Sequence, residues 1–203
     1  MGFAHLSTDG GATWKQVYVN PADENPAGAA TPKKQYYRSN GMENTSAWWL
    51  EWSDAHNIFA SFTDFKAIRS KDAGQSWAFD FQGFELDNAY QTVINPGNGR
   101  IYLAASSVHD LYQSTYLEDA LIDNATGTVL YSDDKGATWH TLHDFGHPVV
   151  ALALDPMNNS RLYASVVHSR SGGIYVSDDF DEGPSSTWRK LADPPRTERH
   201  PFS

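Results

Sequence analysis

The octapeptide SDDKGATW at Ser132–Trp139 occurs in two further versions, STDGGATW at Ser7–Trp14 and SKDAGQSW at Ser70–Trp77. All three read Ser-x-Asp-x-Gly-x-Ser/Thr-Trp, and their first residues lie 63 and 62 positions apart. A longer version, SDDFDEGPSSTW at Ser177–Trp188, keeps the same residue types with four extra residues before its Trp. Repetition at a nearly constant spacing indicates an array of similar structural units rather than a single site.

Each position of the octapeptide suits a tight turn that leads into a strand. An Asp early in a turn accepts hydrogen bonds from backbone N–H groups just ahead of it, and a Gly two residues later supplies the positive φ that closes the turn. Ser and Thr hydroxyls add local hydrogen bonds, and a Trp at the start of the returning strand can bury its ring between neighbouring sheets. The pattern therefore predicts structural roles for Ser7, Asp9, Gly11, Trp14, Ser70, Asp72, Gly74, Trp77, Ser132, Asp134, Gly136, Trp139, Ser177, Asp179, Gly183 and Trp188.

These repeats resemble the Asp-box, or BNR, repeats of β-propeller proteins, which occur in sialidases, xyloglucanase-type glycoside hydrolases, sortilin-type receptors and photosystem assembly factors. The full and stretched copies, at blade-length spacing, carry the resemblance over nearly the whole chain. It implies four-stranded antiparallel blades with each box in the turn between the third and fourth strands, away from the catalytic face. It also implies that the box carboxylates are structural and are neither catalytic acids nor metal ligands.

The segments around the repeats independently predict an all-β fold with four short strands per repeat and no convincing helical period. We therefore expect a partial propeller over residues 1–203. Because propellers close with about four to eight blades, the remaining blades are expected on a longer chain. The predicted parts are the end of a blade at 1–19, a second blade at 47–81, a third at 89–143 with an insertion at 107–127, a fourth at 149–191, and the start of a further blade at 192–203.

Composition narrows the classes of partner. Acidic residues number 25 against 15 basic ones, and the basic residues are scattered, so nucleic acid is not an expected partner. No apolar run approaches the about 20 residues of a membrane span. The sequence contains no zinc-type cluster, phosphate-binding Gly loop or nucleophile elbow, so no metal and no cofactor is implied. The resemblance alone implies a secreted or cell-envelope protein.

Loop lengths point to one face of the propeller. The connections at 20–46 and 107–127 hold 27 and 21 residues, which is long for a compact domain. Both are expected on the face opposite the octapeptide turns, and long loops over a rigid scaffold are where binding and catalysis tend to reside. That face is the predicted functional site.

The contents of this face suit a polar ligand with rings. Aromatic side chains can stack on sugar rings while carboxylates and amides take the hydroxyls. On an innermost strand, Trp48, Trp49 and Trp52 accompany Glu51. The alternative is that the aromatic rings fill space between blades, the Asp residues cap turns, His109 is a surface residue, and YLEDALID forms a short helical turn. Ligand-binding candidates are Tyr36, Tyr37, Arg38, His109, Asp110 and Tyr112, and weaker catalytic candidates are Asp64, Asp110, Glu51 and Asp87.

The resemblance favours a carbohydrate-active propeller that binds a glycan or polysaccharide, or hydrolyses a glycosidic bond, on the face opposite the boxes. The alternative is a non-catalytic protein-interaction propeller of the receptor or assembly-factor type. A standard sialidase is disfavoured, because the three predicted innermost strands carry no Arg and the Arg-Ile-Pro motif of that family is absent. Whether the chain is an enzyme stays open, since glycosidases need a pair of carboxyl groups that sequence cannot bring together.

Overall fold

The computed structural model describes residues 5–39, 47–111, 113 and 117–193. Over these residues the chain forms four antiparallel sheets that follow one another in sequence. Within the described ranges, helical structure is confined to α1 at Asp119–Asp123 and to 3-10 turns at Pro21–Asp23 and Phe180–Ser185. The prediction of an all-β propeller segment is confirmed. The predicted start of a further blade at 192–203 lies almost entirely outside the described residues.

The strands are short and consecutive. In chain order they are β1 (His5–Leu6), β2 (Lys15–Gln16), β3 (Trp49–Trp52), β4 (Ile58–Ser61), β5 (Ala67–Ser70), β6 (Asn88–Ile94), β7 (Ile101–Ser106), β8 (Gly127–Ser132), β9 (His140–Asp144), β10 (Val149–Asp155), β11 (Asn158–Val166), β12 (Gly173–Ser177) and β13 (Arg189–Lys190). The first sheet is β1-β2, the second β3-β4-β5, the third β6-β7-β8-β9 and the fourth β10-β11-β12-β13.

The second sheet departs from the prediction at its outer edge. With four strands per repeat, the blade predicted at 47–81 needs a fourth strand after Ser76, but there only Ala78 pairs with β5, through two hydrogen bonds with Arg69 of 2.9 and 3.0 Å. The neighbouring Trp77 exchanges its backbone hydrogen bonds with Tyr37 instead, at 2.8 and 3.0 Å. A segment from the first long loop therefore covers the outer edge of this sheet.

The octapeptide turns have the predicted hydrogen bonds. In the third copy, Ser132 Oγ donates to Asp134 Oδ1 at 2.8 Å and accepts the Gly136 N–H at 2.9 Å. Asp134 Oδ1 accepts the Thr138 N–H at 2.7 Å, and Trp139 Nε1 donates to Gly136 O at 3.0 Å. Gly136 has φ +79°, a conformation in which a Cβ is strained. The turn is thus closed entirely by local contacts.

The tryptophans of the third and fourth turns pack against the preceding sheet. Trp139 is 2% exposed and lies 5.0 Å, between ring centroids, from Phe59 of the second sheet. Trp188 lies 5.2 Å from Phe145, which follows the third sheet. Trp14, by contrast, is 62% exposed. The buried Trp139 ring and the Trp188 ring therefore provide packing contacts between successive sheets.

The four extra residues of the last turn tie the fourth sheet to the third. They form the 3-10 segment whose Phe180 ring is fully buried 4.9 Å from the Tyr102 ring. Asp181 Oδ1 accepts the Tyr102 hydroxyl at 2.7 Å. Burial and the Asp181 carboxylate raise the pKa of Tyr102. The stretched turn is therefore a clamp between two sheets.

Candidate functional site

The end of the sheets opposite the octapeptide turns carries a cavity of about 600 Å³, which we call the inner cavity. In the third sheet, register places Asn88, Ser106 and Gly127 side by side at this end, whereas the turn begins at Ser132, at the other end of β8. The cavity lies between the innermost strands and the insertion at 107–127. Its lining residues are Trp48, Trp49, Tyr90, Gln91, Leu111, Leu117, Val150, Ala151 and Ser165.

Two β-bulges shape the inner cavity. The register of β6 on β7 shifts between Ala89 and Gln91, and that of β10 on β11 shifts between Val149 and Ala151. The residues skipped by these shifts, Tyr90 and Val150, both line the cavity. Bulges re-aim side chains and are over-represented next to active sites. Strands β6 and β10 are therefore both distorted where they border the inner cavity.

The aromatic wall comes from the second sheet. Trp49 and Glu51 lie on the face of β3 that also carries Phe59 across the register, and Phe59 packs on Trp139 of the third sheet. Trp49 Nε1 donates to Glu51 Oε2 at 3.2 Å. Burial raises the pKa of Glu51 above its ordinary value. The Trp49 ring stays 38% exposed, so its surface is accessible to a ligand.

Tyr90 anchors the insertion that covers the cavity. Its hydroxyl donates to Val108 O at 2.7 Å and accepts the Leu111 N–H at 3.1 Å. Leu111 is buried, and Ile122 of α1 is also buried in the core beneath the insertion. Gln91 Oε1 accepts the Leu152 N–H of the fourth sheet at 3.1 Å, which fixes its side chain as well. Helix α1 falls within the YLEDALID stretch, for which a short helical turn was one alternative.

The structure brings part of the predicted site together. Thr63 Oγ1 donates to Asp110 Oδ1 at 2.7 Å, so the connection that contains Asp64 contacts the insertion. His109 Nδ1 lies 3.2 Å from Asp110 Oδ2. Asp87 is largely exposed and pairs with Lys66. Tyr112 lies outside the described residues.

The other predicted ligand residues lie elsewhere. The Tyr36 hydroxyl donates to Asp80 at 3.0 Å, Tyr37 pairs with Trp77, and Arg38 forms an ion pair with Asp23 at 2.6 Å. Tyr37 and Arg38 line a second cavity of about 820 Å³ at the outer edge of the second sheet, not the inner cavity. The two long loops, both expected on one face, therefore contribute to two separate cavities. The reason is the backbone pairing with Trp77, which sequence spacing did not reveal.

Sequence reasoning missed a polar cluster at the same end of the sheets as the inner cavity. The His147 and His168 rings are in contact, with centroids 4.2 Å apart and their planes tilted by 47°. Ser171 Oγ lies 3.0 Å from His147 Nε2, and Asp123 accepts hydrogen bonds from Ser169. These residues come from three separate connections, so no motif spacing could have signalled them.

Two features are absent from the described part of the chain. It contains no helix long and apolar enough to cross a membrane. It also contains no group of three His, Cys, Asp or Glu residues arranged to hold a metal ion.

Comparison with known proteins shows that this chain is similar to some of them in fold. No protein-family model and no curated protein matches the chain. Among solved structures, the chain is similar to the GH74 enzyme of Niastella koreensis, with 17% identity over 91% of this chain and 25% of that one, at a TM-score of 0.50. It is also similar to the GH74 xyloglucanase of Xanthomonas campestris, with 18% identity over 89% of this chain and 22% of that one, at a TM-score of 0.47. The chain thus spans a quarter or less of these structures. At such identities, the likeness to β-propeller enzymes shows the fold alone.

Proposed function

We propose that this chain is part of a carbohydrate-binding propeller and that the inner cavity holds a segment of a glycan. The observation that carries the proposal is the cavity itself, where two exposed tryptophans face two bulged inner strands. A few hundred cubic ångströms, walled by aromatic rings with a few neutral polar groups, is typical of a ligand site. Trp48 and Trp49 offer stacking surfaces, and Ser165 offers a hydroxyl.

The lining favours binding over hydrolysis. Glycoside hydrolysis uses two carboxyl groups about 5 to 9 Å apart across the scissile bond. Among the described residues, none that lines the inner cavity is an Asp or Glu. Glu51 lies two residues beyond Trp49, and burial raises its pKa, but its side chain is not part of that lining. Binding is therefore the activity that we assign to this part of the protein.

The charge balance favours a neutral glycan. The chain carries a formal net charge of −10, and no Lys or Arg is among the described residues that line the inner cavity. An acidic polysaccharide would meet repulsion without a compensating cation. From the resemblance to Asp-box propellers we also propose a secreted or cell-envelope location, with the remaining blades on a longer chain.

The test is a calorimetric titration with a panel of neutral oligosaccharides, including xyloglucan-derived ones, and an acidic oligosaccharide for comparison. Trp49→Ala should weaken binding roughly tenfold, since one aromatic contact is worth about 1 kcal/mol or more. Trp52→Ala is the matched control, because Trp52 lies on the same strand, is 53% exposed and does not line the cavity. Equal losses in both variants, or no binding of any neutral oligosaccharide, would refute the assignment. Release of reducing ends during the titration would show that the chain also hydrolyses its ligand.

A further inference from the structure

Three connections meet near the inner cavity and bring two histidines together. His147 precedes β10, His168 follows β11, and Asp123 is the last residue of α1. Nδ1 of His168 lies 3.7 Å from Oδ1 of Asp123. The two oxygens of Asp123 accept the backbone N–H of Ser169 at 2.8 Å and its hydroxyl at 2.5 Å. Hydrogen bonds from Ser169 lower the pKa of Asp123, so this carboxylate is charged at neutral pH.

The observed turn requires a neutral His168. Its Nδ1 accepts the backbone N–H groups of Arg170 and Ser171, both at 3.0 Å. A nitrogen that accepts two N–H groups carries no proton, so the proton of the neutral ring lies on Nε2. A second proton would have to go onto Nδ1, where it would displace both donors. The neutral ring therefore supplies two of the hydrogen bonds of the turn at 168–172, beside the backbone bond from the Gly172 N–H to His168 O at 3.1 Å.

A protonated His168 has another partner. An Nδ1–H could donate to Asp123, which already lies 3.7 Å away. The neighbouring His147 stays neutral in preference, since burial and then the nearby His168 lower the pKa of His147. A single charge on this pair of rings is therefore placed on the ring that faces the carboxylate. The titratable and charged groups around His168 are His147, Asp123, Arg170 on its own turn, and Tyr175, whose hydroxyl donates to Ser171 O.

We infer that His168 is a proton switch, whose Nδ1 changes from an acceptor of two turn N–H groups into a donor to Asp123. The turn at 168–172 then opens, while Asp123 keeps α1 attached to the fourth sheet. Histidine is the side chain whose charge can change between about pH 5 and 8, so the exchange is tested across that range. This is a hydrogen-bond exchange between two defined partners.

The switch would regulate the inner cavity, and this consequence rests on the proposed function. The strand that leads into the turn carries Ser165 to the cavity wall, and the closed turn holds Ser171 against His147. Opening the turn loosens this wall. Glycan affinity is therefore expected to fall about threefold between pH about 7.5 and about 5.5. A change of this size corresponds to a fraction of the free energy that one hydrogen bond contributes.

The test is amide hydrogen exchange of the full chain by NMR, without ligand, at pH about 7.5 and about 5.5. After correction for the intrinsic pH dependence of exchange, the Arg170 and Ser171 amides should lose protection about fivefold at the lower pH. In His168→Asn, the amide oxygen can take the place of Nδ1 but does not titrate, so the pH effect should vanish. His56→Asn, in an exposed turn, is the matched control and should retain it.

Two results would overturn the switch. One is equal protection of both amides at the two pH values in the parent protein, and the other is a pH effect that survives in His168→Asn. A long-range proton–nitrogen spectrum of the parent, which needs no variant, should show Nδ1 of His168 unprotonated at the higher pH, and a protonated Nδ1 there would also refute the inference. Glycan titrations at the two pH values are read separately. A normal exchange response without glycan binding would remove the proposed function and leave the switch.

Discussion

Replacing Trp139 with alanine tests whether the octapeptide tryptophans hold the sheets together. The side chain is 2% exposed, lies 5.0 Å from the Phe59 ring and 6.4 Å from the Phe84 ring, and donates to Gly136 O at 3.0 Å. Deleting a large buried aromatic side chain costs about 3 to 5 kcal/mol, because transfer energy is lost and a cavity remains. We therefore expect Trp139→Ala to lower the free energy of unfolding by about 4 kcal/mol.

Trp14→Ala is the matched control for this experiment. Trp14 occupies the same position of the same pattern and donates the same Nε1 hydrogen bond, to Gly11 O at 3.1 Å, but it is 62% exposed. Its replacement should cost about 1 kcal/mol or less. Urea unfolding followed by circular dichroism measures the free energy of unfolding of both variants. In thermal unfolding, a Tm about 10 °C lower is expected for Trp139→Ala alone. Similar losses in the two variants would refute the assignment of inter-sheet packing, because they would trace the effect to the turn hydrogen bond.

Three further outcomes follow from the geometry. Asp181→Ala should lower the free energy of unfolding by about 2 kcal/mol, because a buried tyrosine hydroxyl loses its acceptor, and unchanged urea unfolding would show that the stretched turn is no clamp. Gly83→Ala would place a Cβ 2.1 Å from a backbone oxygen at φ +75°, so it should lower the free energy of unfolding by about 3 kcal/mol. Gly99 has φ +74° but lies in open space, so Gly99→Ala should lower it by only about 1 kcal/mol in the same assay. Burial lowers the pKa of both His143 and His147, so the folded state favours neutral rings. The free energy of unfolding should therefore be highest above pH about 6.5 and should fall as the pH drops below that value. Urea midpoints that stay constant from pH about 8 to about 5 would contradict this expectation.

Much of the fold could be predicted because its determinants are local. Within each octapeptide, Asp134 and its equivalents bond to groups at most four residues away in the regular copies, so the pattern itself specifies the turn. Strand positions followed from short apolar runs between such turns. The fourth copy shows how strong the local chemistry is, since Asp179 still accepts both Thr187 groups at 2.8 Å across the extra residues.

The candidate site was harder to predict because it depends on contacts between distant segments. The pairing of Tyr37 with Trp77 joins residues 40 positions apart and moved the first loop to the outer edge. The bulges at Tyr90 and Val150 each add one residue to a strand, a change that apolar alternation does not reveal. Exposed tryptophans beside Glu51 were visible in the sequence, and they mark the wall of the inner cavity.

The hydrogen bonds of the two ends of the sheets support placing the proposed ligand site at the end opposite the octapeptide turns. At the octapeptide end the polar side chains are used within the turns themselves: bonds from Thr13 and Ser7 lower the pKa of Asp9 to about 2, and bonds from Thr187 lower that of Asp179. A carboxylate already committed to several donors has little capacity to bind a ligand, so this end is specified for folding. At the opposite end two innermost strands bulge, and a long insertion rests on them. Aromatic surface therefore remains accessible in the inner cavity, which is where we propose that a glycan binds.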